Sequence, residues 1–349
     1  MAFKLVSCDG GGIRGYLSCL ILQGLQNETG FLEKAEGFAG TSTGGLIAVT
    51  LADGRSQGKD MTQLIGELTS LYRDKADQIF CENERTFADK VLDNLARKFR
   101  FAGGPGITAA HYNASGLLKI GHDLVGDRTV GTVSSDLVLA VNTVCLHGSE
   151  HGGWVPVSIT NQDLSDQTWI DMRAVRLLDV AMASSAAPTY FPPHLVEANG
   201  VDYGYFADGG TFANNPVLNG MNVAIAAKKA EGLAHIEVIS VGTGKQPTDI
   251  SEEMIKDPED WGLLKWFGVT SKAPKAALLE MLLTTSAENL HWMAHLVLKD
   301  RMVRLNPPLP KVVGLATISD HAYELMEEAF DFTRNSLEWR NAVEMLRHW

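Results

Sequence analysis

A serine with glycines two positions away on either side is the strongest chemical signal in the chain. The segment Gly40-Thr41-Ser42-Thr43-Gly44 has the spacing G-x-S-x-G, in which the serine lies on a strained turn between a strand and a helix and the glycines avoid clashes. Apolar segments at 37–39 and 46–51 are typical of that strand and that helix. Ser42 is therefore a candidate nucleophile. The alternative is that its side chain only caps the helix.

A glycine-rich loop near the N-terminus could supply bare backbone amides. Gly10-Gly11-Gly12-Ile13-Arg14-Gly15 follows a strand pattern at 3–8, opens a helix and matches G-x-G-x-x-G. A dinucleotide site would also need an acidic residue at the end of a second strand about 20 positions on, whereas Glu33 and Glu36 lie in a polar stretch. We therefore expect the loop to point N–H groups at an oxygen that becomes negative during a reaction. Nucleotide binding and a tight structural turn are the alternatives.

A serine nucleophile needs a base, and the sequence favours a carboxylate over a histidine. Asp208-Gly209-Gly210 follows the strand-like run 203–206 and precedes Asn214-Asn215-Pro216, a strong turn signal. Asp208 is thus predicted to emerge at the end of a strand, and an ordinary turn is the alternative. His235 would lie at the start of a strand, the opposite end from the sites of α/β proteins. His321 is expected to open the last helix.

No metal or cofactor site is predicted. The cysteines are widely spaced without a C-x-x-C pair, and the histidine pairs at i, i+4 do not come with an H-E-x-x-H pattern. These residues are Cys8, Cys19, Cys81 and Cys145, and His147 with His151 and His291 with His295.

The order of strand and helix patterns predicts an α/β fold with three layers, α/β/α, around a central, mostly parallel sheet. Continuous apolar runs at 137–144 and 236–241 indicate strands buried on both faces. Helical spacing at 61–101, 177–182 and 273–298 indicates the covering helices. Tyr323, Met326 and Phe330 mark a C-terminal amphipathic helix, so the C-terminal portion is expected to be helical.

Composition excludes several classes of protein. The 349 residues are 45% hydrophobic and 21% charged, which is typical of a globular protein and not of a disordered or fibrous one. The net charge of −12 disfavours broad nucleic-acid binding. The cluster Arg97-Lys98-Phe99-Arg100, near a glycine-rich stretch at 103–106, is either a local anion patch or a solvated helix end. The N-terminus shows no pattern of a cleaved leader, so cytoplasmic location is expected.

Three motifs in a fixed order resemble the patatin-like phospholipases. They are Asp9-Gly10-Gly11-Gly12-x-Arg14-Gly15, Gly40-x-Ser42-x-Gly44 and Asp208-Gly209-Gly210. The resemblance extends to 184–191, 240–244 and the segment Trp261-Gly262-Leu263-Leu264-x-Trp266, and it covers most of the chain. It is weakest at 80–106 and over the final 40 or so residues.

The resemblance implies a serine esterase with a Ser-Asp dyad and no cofactor or metal. Ser42 would attack a fatty-acyl ester of a phospholipid or galactolipid, and Asp208 would be the base. The amides of Gly10, Gly11 and Gly12 would form the oxyanion hole, with Arg14 bracing the loop. The resemblance further implies an acyl-hydrolase domain over 1–315, a helical extension over 316–349 packed on it, and a possible small-molecule activator such as a cyclic nucleotide.

A cluster of bulky side chains is the candidate contact with substrate or membrane. It comprises Trp261, Leu264, Trp266 and Phe267, which would form an interfacial flap in a protein peripheral to membranes. A packed corner of the core is the alternative for this cluster. The alternative for the whole chain is a non-enzymatic storage or lipid-binding protein.

Overall fold

The computed structural model describes residues 2–82, 110–147, 153–164, 171–262, 266 and 277–349. Within these residues an eight-stranded sheet forms the centre of the molecule. Its strands are β1 (Phe3–Cys8), β2 (Gly37–Thr41), β3 (Val138–His147), β4 (Val155–Thr160), β5 (His194–Ala198), β6 (Val201–Asp208), β7 (Ile236–Val241) and β8 (Met302–Leu305).

The sheet combines a parallel part with an antiparallel part. Hydrogen-bonded neighbours follow the order β5-β6-β3-β2-β1-β7-β8, and β4 also pairs with β3. Strands β3, β2, β1, β7 and β8 are parallel to one another, whereas β4, β6 and β5 join by antiparallel pairings. The predicted α/β class is confirmed, and the parallel part carries the two predicted strand-turn-helix units.

Helices cover both faces of the sheet. The longer ones are α1 (Gly15–Thr29), α2 (Thr43–Ser56), α3 (Met61–Asp74), α4 (Ser115–Val125), α5 (Leu177–Ser185), α6 (Val217–Ala226), α7 (Ala277–Leu298), α8 (Asp320–Arg334) and α9 (Leu337–Arg347). Four-residue helices span Ala76–Ile79, Gly210–Ala213 and Glu252–Ile255. The helix pattern predicted over 61–101 is observed as α3 and Ala76–Ile79. Residues 83–109, with the basic cluster and the glycine-rich stretch, lie outside the described part.

Alternating side chains of the strands fill two cores, one on each face of the sheet. On β1, Val6 and Cys8 pack into a core with α1, α2, α5, α8 and α9, whereas Phe3 and Leu5 pack into a second core with α6 and α7. This alternation is the period of two that places successive strand residues on opposite faces. The three-layer arrangement follows from it.

The C-terminal portion contains one helix more than expected. The amphipathic pattern at Tyr323 lies on α8. A further helix, α9, follows it, and the Ser336 hydroxyl caps α9 by accepting the Trp339 N–H. His321 therefore lies near the start of the penultimate helix, and the expectation that it opens the last one is wrong. Both helices pack on α1, where the Tyr16 hydroxyl donates to Glu327 at 2.8 Å.

Candidate active site

The turn between β2 and α2 holds Ser42 in a conformation that few residues adopt. Its φ is 55° and its ψ is −126°, outside the regions that are allowed without strain. The flanking glycines make the turn possible, because a Cβ at Gly40 would lie 2.1 Å from the Gly44 carbonyl oxygen and a Cβ at Gly44 would lie 2.0 Å from the Cys8 oxygen. The predicted G-x-S-x-G turn is thus present, and it places Ser42 directly after the carboxyl end of β2.

A second serine holds the main chain of the turn. The Ser42 amide donates to Ser184 Oγ at 2.8 Å, and the Ser184 hydroxyl donates in turn to the Asn142 carbonyl at 2.7 Å. Ser184 is fully buried on α5, so its hydroxyl links the turn to β3. Only the family resemblance had indicated the segment 184–191, and these contacts give Ser184 a physical role in it.

Sheet pairing brings Asp208 to the turn. Residues 140–142 of β3 pair with both β2 and β4, and residues 143–145 pair with both β4 and β6. Because each residue has only two sides within the sheet, β2 and β6 must lie end to end along the same edge of β3. Thr41 pairs with Asn142, and Asp208 pairs with Thr143. The ends of the two strands therefore meet, and Ser42 follows one of them directly.

Asp208 is buried, with a backbone amide bonded to its carboxylate and the Ser42 hydroxyl beside it. The Gly210 amide donates to its Oδ1 at 2.7 Å. Burial raises the pKa of Asp208 to about 6, and the neighbouring Ser42 hydroxyl and Gly210 amide oppose the rise. No basic side chain in the described residues lies within ion-pair distance of this carboxylate. Asp208 is thus a stronger base than an ordinary aspartate and lies beside the candidate nucleophile.

The three glycines of the first loop differ in the use of their amides. The Gly10 N–H donates to the Asn214 carbonyl at 3.0 Å, so it is already committed. In the described part of the chain, no acceptor takes the amides of Gly11 and Gly12, and both residues line the same pocket as Ser42 and Asp208. Of the three glycines predicted to form the oxyanion hole, Gly11 and Gly12 therefore remain as candidate donors.

Two features hold the loop in this shape. Gly12 has a φ of 60°, and a Cβ there would lie 2.1 Å from the Leu315 carbonyl oxygen. Arg14 is buried and reaches away from the reacting groups, donating from Nη1 to the Val313 carbonyl at 2.8 Å and to Glu280 at 3.4 Å. Its contacts are those of a residue that braces the loop.

An apolar pocket opens beside the serine and the carboxylate. Helix α7 contributes Leu279 and Leu283 to its wall, and the segment after α5 contributes Tyr190 and Phe191. Further lining side chains are Leu46, Ile79, Phe80, Leu117 and Leu315. Sequence reasoning missed the contribution of α7. Its apolar character was visible in the sequence, but the face turned towards Ser42 depends on tertiary packing.

Trp261 and Trp266 are the two predicted lipid-contact residues that the structure describes, and neither lines this pocket. Trp261 and Trp266 are half-buried, and their rings pack edge to face with centroids 5.0 Å apart. Leu264 and Phe267 lie outside the described residues. The contact of this cluster with lipid stays a prediction.

Neither a metal-binding cluster nor a membrane-spanning helix is present in the described residues. They contain no group of three metal-ligating side chains, and no helix among them is long and apolar enough to cross a bilayer.

Comparison with known proteins agrees with the motifs. The family model of the patatin-like phospholipases matches residues 6–220. Patatin-like protein 2 of Arabidopsis thaliana is 26% identical over 295 residues, which are 77% of this chain and 66% of that protein. A cGAMP-activated phospholipase of Vibrio cholerae is 28% identical over 254 residues, 69% of this chain and 64% of the relative. The crystal structure of VipD from Legionella pneumophila aligns over 99% of this chain and 67% of VipD, with 14% identity and a TM-score of 0.39.

The fold and the matched family define the class, which is that of lipid ester hydrolases. The chain belongs to the patatin-like phospholipase family. The match covers both strand-turn-helix units and the Asp208-Gly209-Gly210 motif. The chain spans about two thirds of the length of the relatives described above.

Proposed function

We propose that this chain is a lipid acyl hydrolase that cleaves fatty-acyl esters of glycerophospholipids or galactolipids. The observation that carries the proposal is the proximity of the Ser42 hydroxyl to the buried Asp208 carboxylate, at the side of an apolar pocket. A hydroxyl next to a base of raised pKa can be activated, and an apolar pocket suits an acyl chain better than a polar substrate.

The first half of the reaction acylates the enzyme. Ser42 Oγ forms a bond to the ester carbonyl carbon while Asp208 takes the hydroxyl proton. The carbonyl oxygen becomes an oxyanion, and the amides of Gly11 and Gly12 would donate to it. The ester C–O bond then breaks, and the departing alcohol receives the proton from Asp208.

The second half releases the fatty acid. Water attacks the carbonyl carbon of acyl-Ser42 and gives a proton to Asp208, and the same two amides bind the second oxyanion. The bond between the carbonyl carbon and Ser42 Oγ breaks, and the serine regains its proton from Asp208. Both halves use one base because Asp208 returns to its starting state after each.

An activity-based probe tests the proposal directly. We expect a fluorophosphonate to label the wild-type protein, and Ser42→Ala to abolish both labelling and the hydrolysis of a p-nitrophenyl acyl ester, by at least about 10⁴-fold. Ser70→Ala, which changes an exposed serine on α3, is the matched control and should label normally. Absence of labelling in the folded wild-type protein would contradict the proposal and favour the storage alternative.

The outward side of α7 is the proposed contact with the lipid surface. The same helix that lines the pocket through Leu279 and Leu283 exposes apolar side chains near both of its ends. These residues are Met281, Leu282, Trp292, Met293, Leu296 and Val297, each at least 40% exposed. Grouped exposed apolar side chains are typical of a surface that meets lipid or another protein. The half-buried Trp261 and Trp266 stay part of this proposal as a second contact.

Vesicle binding distinguishes this surface from other exposed apolar positions. Replacing Trp292 and Leu296 with serine removes two half-exposed side chains, and we expect at least about tenfold weaker sedimentation with phosphatidylcholine vesicles. Hydrolysis of a soluble ester should be unchanged. Phe332→Ser with Leu337→Ser, which removes equally exposed side chains from α8 and α9, is the control. Equal loss in both double variants would contradict a specific role of α7.

The proposal also covers regulation and cellular location. The names of relatives such as the cGAMP-activated phospholipase of Vibrio cholerae support activation by a small nucleotide, which a hydrolysis assay with and without cyclic dinucleotide would test. Cytoplasmic location with peripheral membrane contact is likewise proposed. Mass spectrometry of the products from a mixed lipid extract would identify the head group and the acyl position.

A further inference from the structure

The peptide group between Gly10 and Gly11 is held from one side by two side chains. The Gly10 carbonyl oxygen accepts hydrogen bonds from Thr243 Oγ1 at 3.1 Å and from Asn214 Nδ2 at 3.3 Å. Thr243 and Asn214 are both buried. This carbonyl takes no direct part in the proposed reaction. The two buried side chains that donate hydrogen bonds to it therefore need another explanation.

Peptide planarity provides that explanation. The carbonyl of Gly10 and the N–H of Gly11 belong to one planar, trans peptide group and therefore point in nearly opposite directions. Two donors that fix the direction of the carbonyl oxygen also fix the direction of the Gly11 N–H. That N–H has no acceptor in the described part of the chain and borders the pocket that contains Ser42.

Thr243 also presses directly on the loop. A Cβ at Gly11 would lie 2.2 Å from Thr243 Oγ1 and 2.5 Å from Thr243 Cβ, so the threonine side chain lies over the bare Cα of the glycine. The loop that carries Thr243 is itself anchored, because the Gly242 amide donates to the Leu305 carbonyl at 2.9 Å and the Ser18 hydroxyl donates to the Gly242 carbonyl at 2.9 Å. Thr243 is therefore a fixed support for the peptide group.

We infer that Thr243 is a positioning residue that points the Gly11 amide at the oxyanion. The inference rests on the proposed function and adds to it a residue that contacts neither the substrate nor the base. An amide held in place before the reaction stabilises the oxyanion without a cost of reorganisation. Loss of the Thr243 hydroxyl leaves Asn214 as one donor, so the peptide group should become able to rotate without the loop unfolding.

Two substitutions distinguish the hydrogen bond that Thr243 donates from the packing of its side chain on Gly11. Thr243→Val keeps the branched side chain over Gly11 and removes the donor, and Thr243→Ser keeps the donor. With a soluble p-nitrophenyl ester we expect Thr243→Val to lower kcat about 10- to 100-fold with little change in KM, less than the loss of a whole oxyanion donor. The rate of fluorophosphonate labelling should fall in parallel. Thr243→Ser should restore most of both rates.

Ser18→Ala is the matched control. It removes a buried hydroxyl that donates to the Gly242 carbonyl but not to the Gly10–Gly11 peptide, and the loop keeps its other anchor, the bond from the Gly242 amide to the Leu305 carbonyl. We expect it to lower the melting temperature while leaving kcat near the wild-type value. If Thr243→Val does not fold, Thr243→Ala removes the same donor with more room for relaxation and is judged by the same criteria.

The outcomes separate this inference from the proposed function. A folded Thr243→Val protein with wild-type kcat, or an equal loss of kcat in Ser18→Ala, would overturn the role of Thr243 and leave the proposed function intact. A wild-type protein without Ser42-dependent hydrolysis would overturn the proposed function, and this inference with it. A loss of kcat in Thr243→Val alone, rescued in Thr243→Ser, supports the inference.

Discussion

Two buried carboxylates at the ends of strands have different neighbours in this fold. Asp9, directly after β1, forms a bidentate ion pair with Arg304, with distances of 3.1 Å to Nη1 and 2.7 Å to Nη2. Both side chains of that pair are about 95% buried. Among the described residues, Asp208 at the end of β6 has the Gly210 amide as a donor to its carboxylate and the Ser42 hydroxyl beside it.

The difference lies in the groups that oppose the effect of burial. Burial raises the pKa of Asp9 as well, but the charge of the Arg304 guanidinium and its hydrogen bonds oppose that rise. Asp9 is thus held by a cation and is suited to fixing the start of the glycine loop. Beside Asp208 the described residues supply a hydroxyl and an amide but no cation, so burial leaves its pKa raised to about 6 and its carboxylate able to take a proton from Ser42.

The largest expected effect is on stability at Asp9. Asp9→Asn leaves the Arg304 guanidinium buried without its counter-charge, so we expect the free energy of unfolding to fall by about 3–5 kcal/mol. Urea denaturation at pH 8 measures this value. Asp136→Asn, at an exposed aspartate, is the control and should change stability by less than about 0.5 kcal/mol. A loss at Asp9 no larger than the control would show that the pair contributes little.

The same substitution at Asp208 should have the opposite sign. Because the native pKa of about 6 lies above the unfolded value near 4, the folded state holds the proton more tightly, and stability falls as pH rises between these values. Asp208→Asn removes this cost, so we expect it to stabilise the protein by about 1–3 kcal/mol at pH 8 while hydrolysis is lost.

A pH series sharpens that comparison. The stability gain of Asp208→Asn should shrink towards zero as the pH falls below about 3, where wild-type Asp208 is protonated in both states. A gain that does not change with pH would mean that packing, and not the charge, causes it. A loss of stability at pH 8 would contradict the reading of Asp208 as a destabilised base.

A smaller effect is expected in the pH profile of hydrolysis. The base must be ionised, so kcat/KM should fall about tenfold per pH unit below pH 6 and level off above it. Steady-state rates with a soluble ester at constant ionic strength measure the profile. If kcat/KM were flat down to pH 5, Asp208 would have an ordinary pKa and burial would not be its main perturbation.

Much of the candidate site could be predicted because its signals are local. The spacing of Gly40, Ser42 and Gly44 reflects steric limits within five residues, and the structure has the turn that these limits require. Asp208 was placed at the end of a strand from the aromatic run before it and the turn after it, and β6 ends there. Strand and helix patterns likewise predicted β1, β2, β3, β6 and β7 and most of the longer helices, but they missed β4, β5, β8, α4, α6 and the second C-terminal helix.

Other features could not be predicted because they join distant parts of the chain. The bond from Thr243 to Gly10 spans 233 residues, and the bond from Asn214 to Gly10 spans 204. The amide of Gly10 was expected to be free, and its bond to the Asn214 carbonyl became visible only in the folded chain. No local pattern indicates which carbonyl a given buried donor will reach.

The sequence alone determined the chemical groups and the local turns, since glycine spacing, strand ends and helix starts depend on sterics between near neighbours. Tertiary structure decided which groups meet. The two strands β2 and β6 share one edge of β3, and this sharing brings the Ser42 hydroxyl to Asp208. Strand register sets that contact, and register is a property of the whole sheet that no single segment specifies.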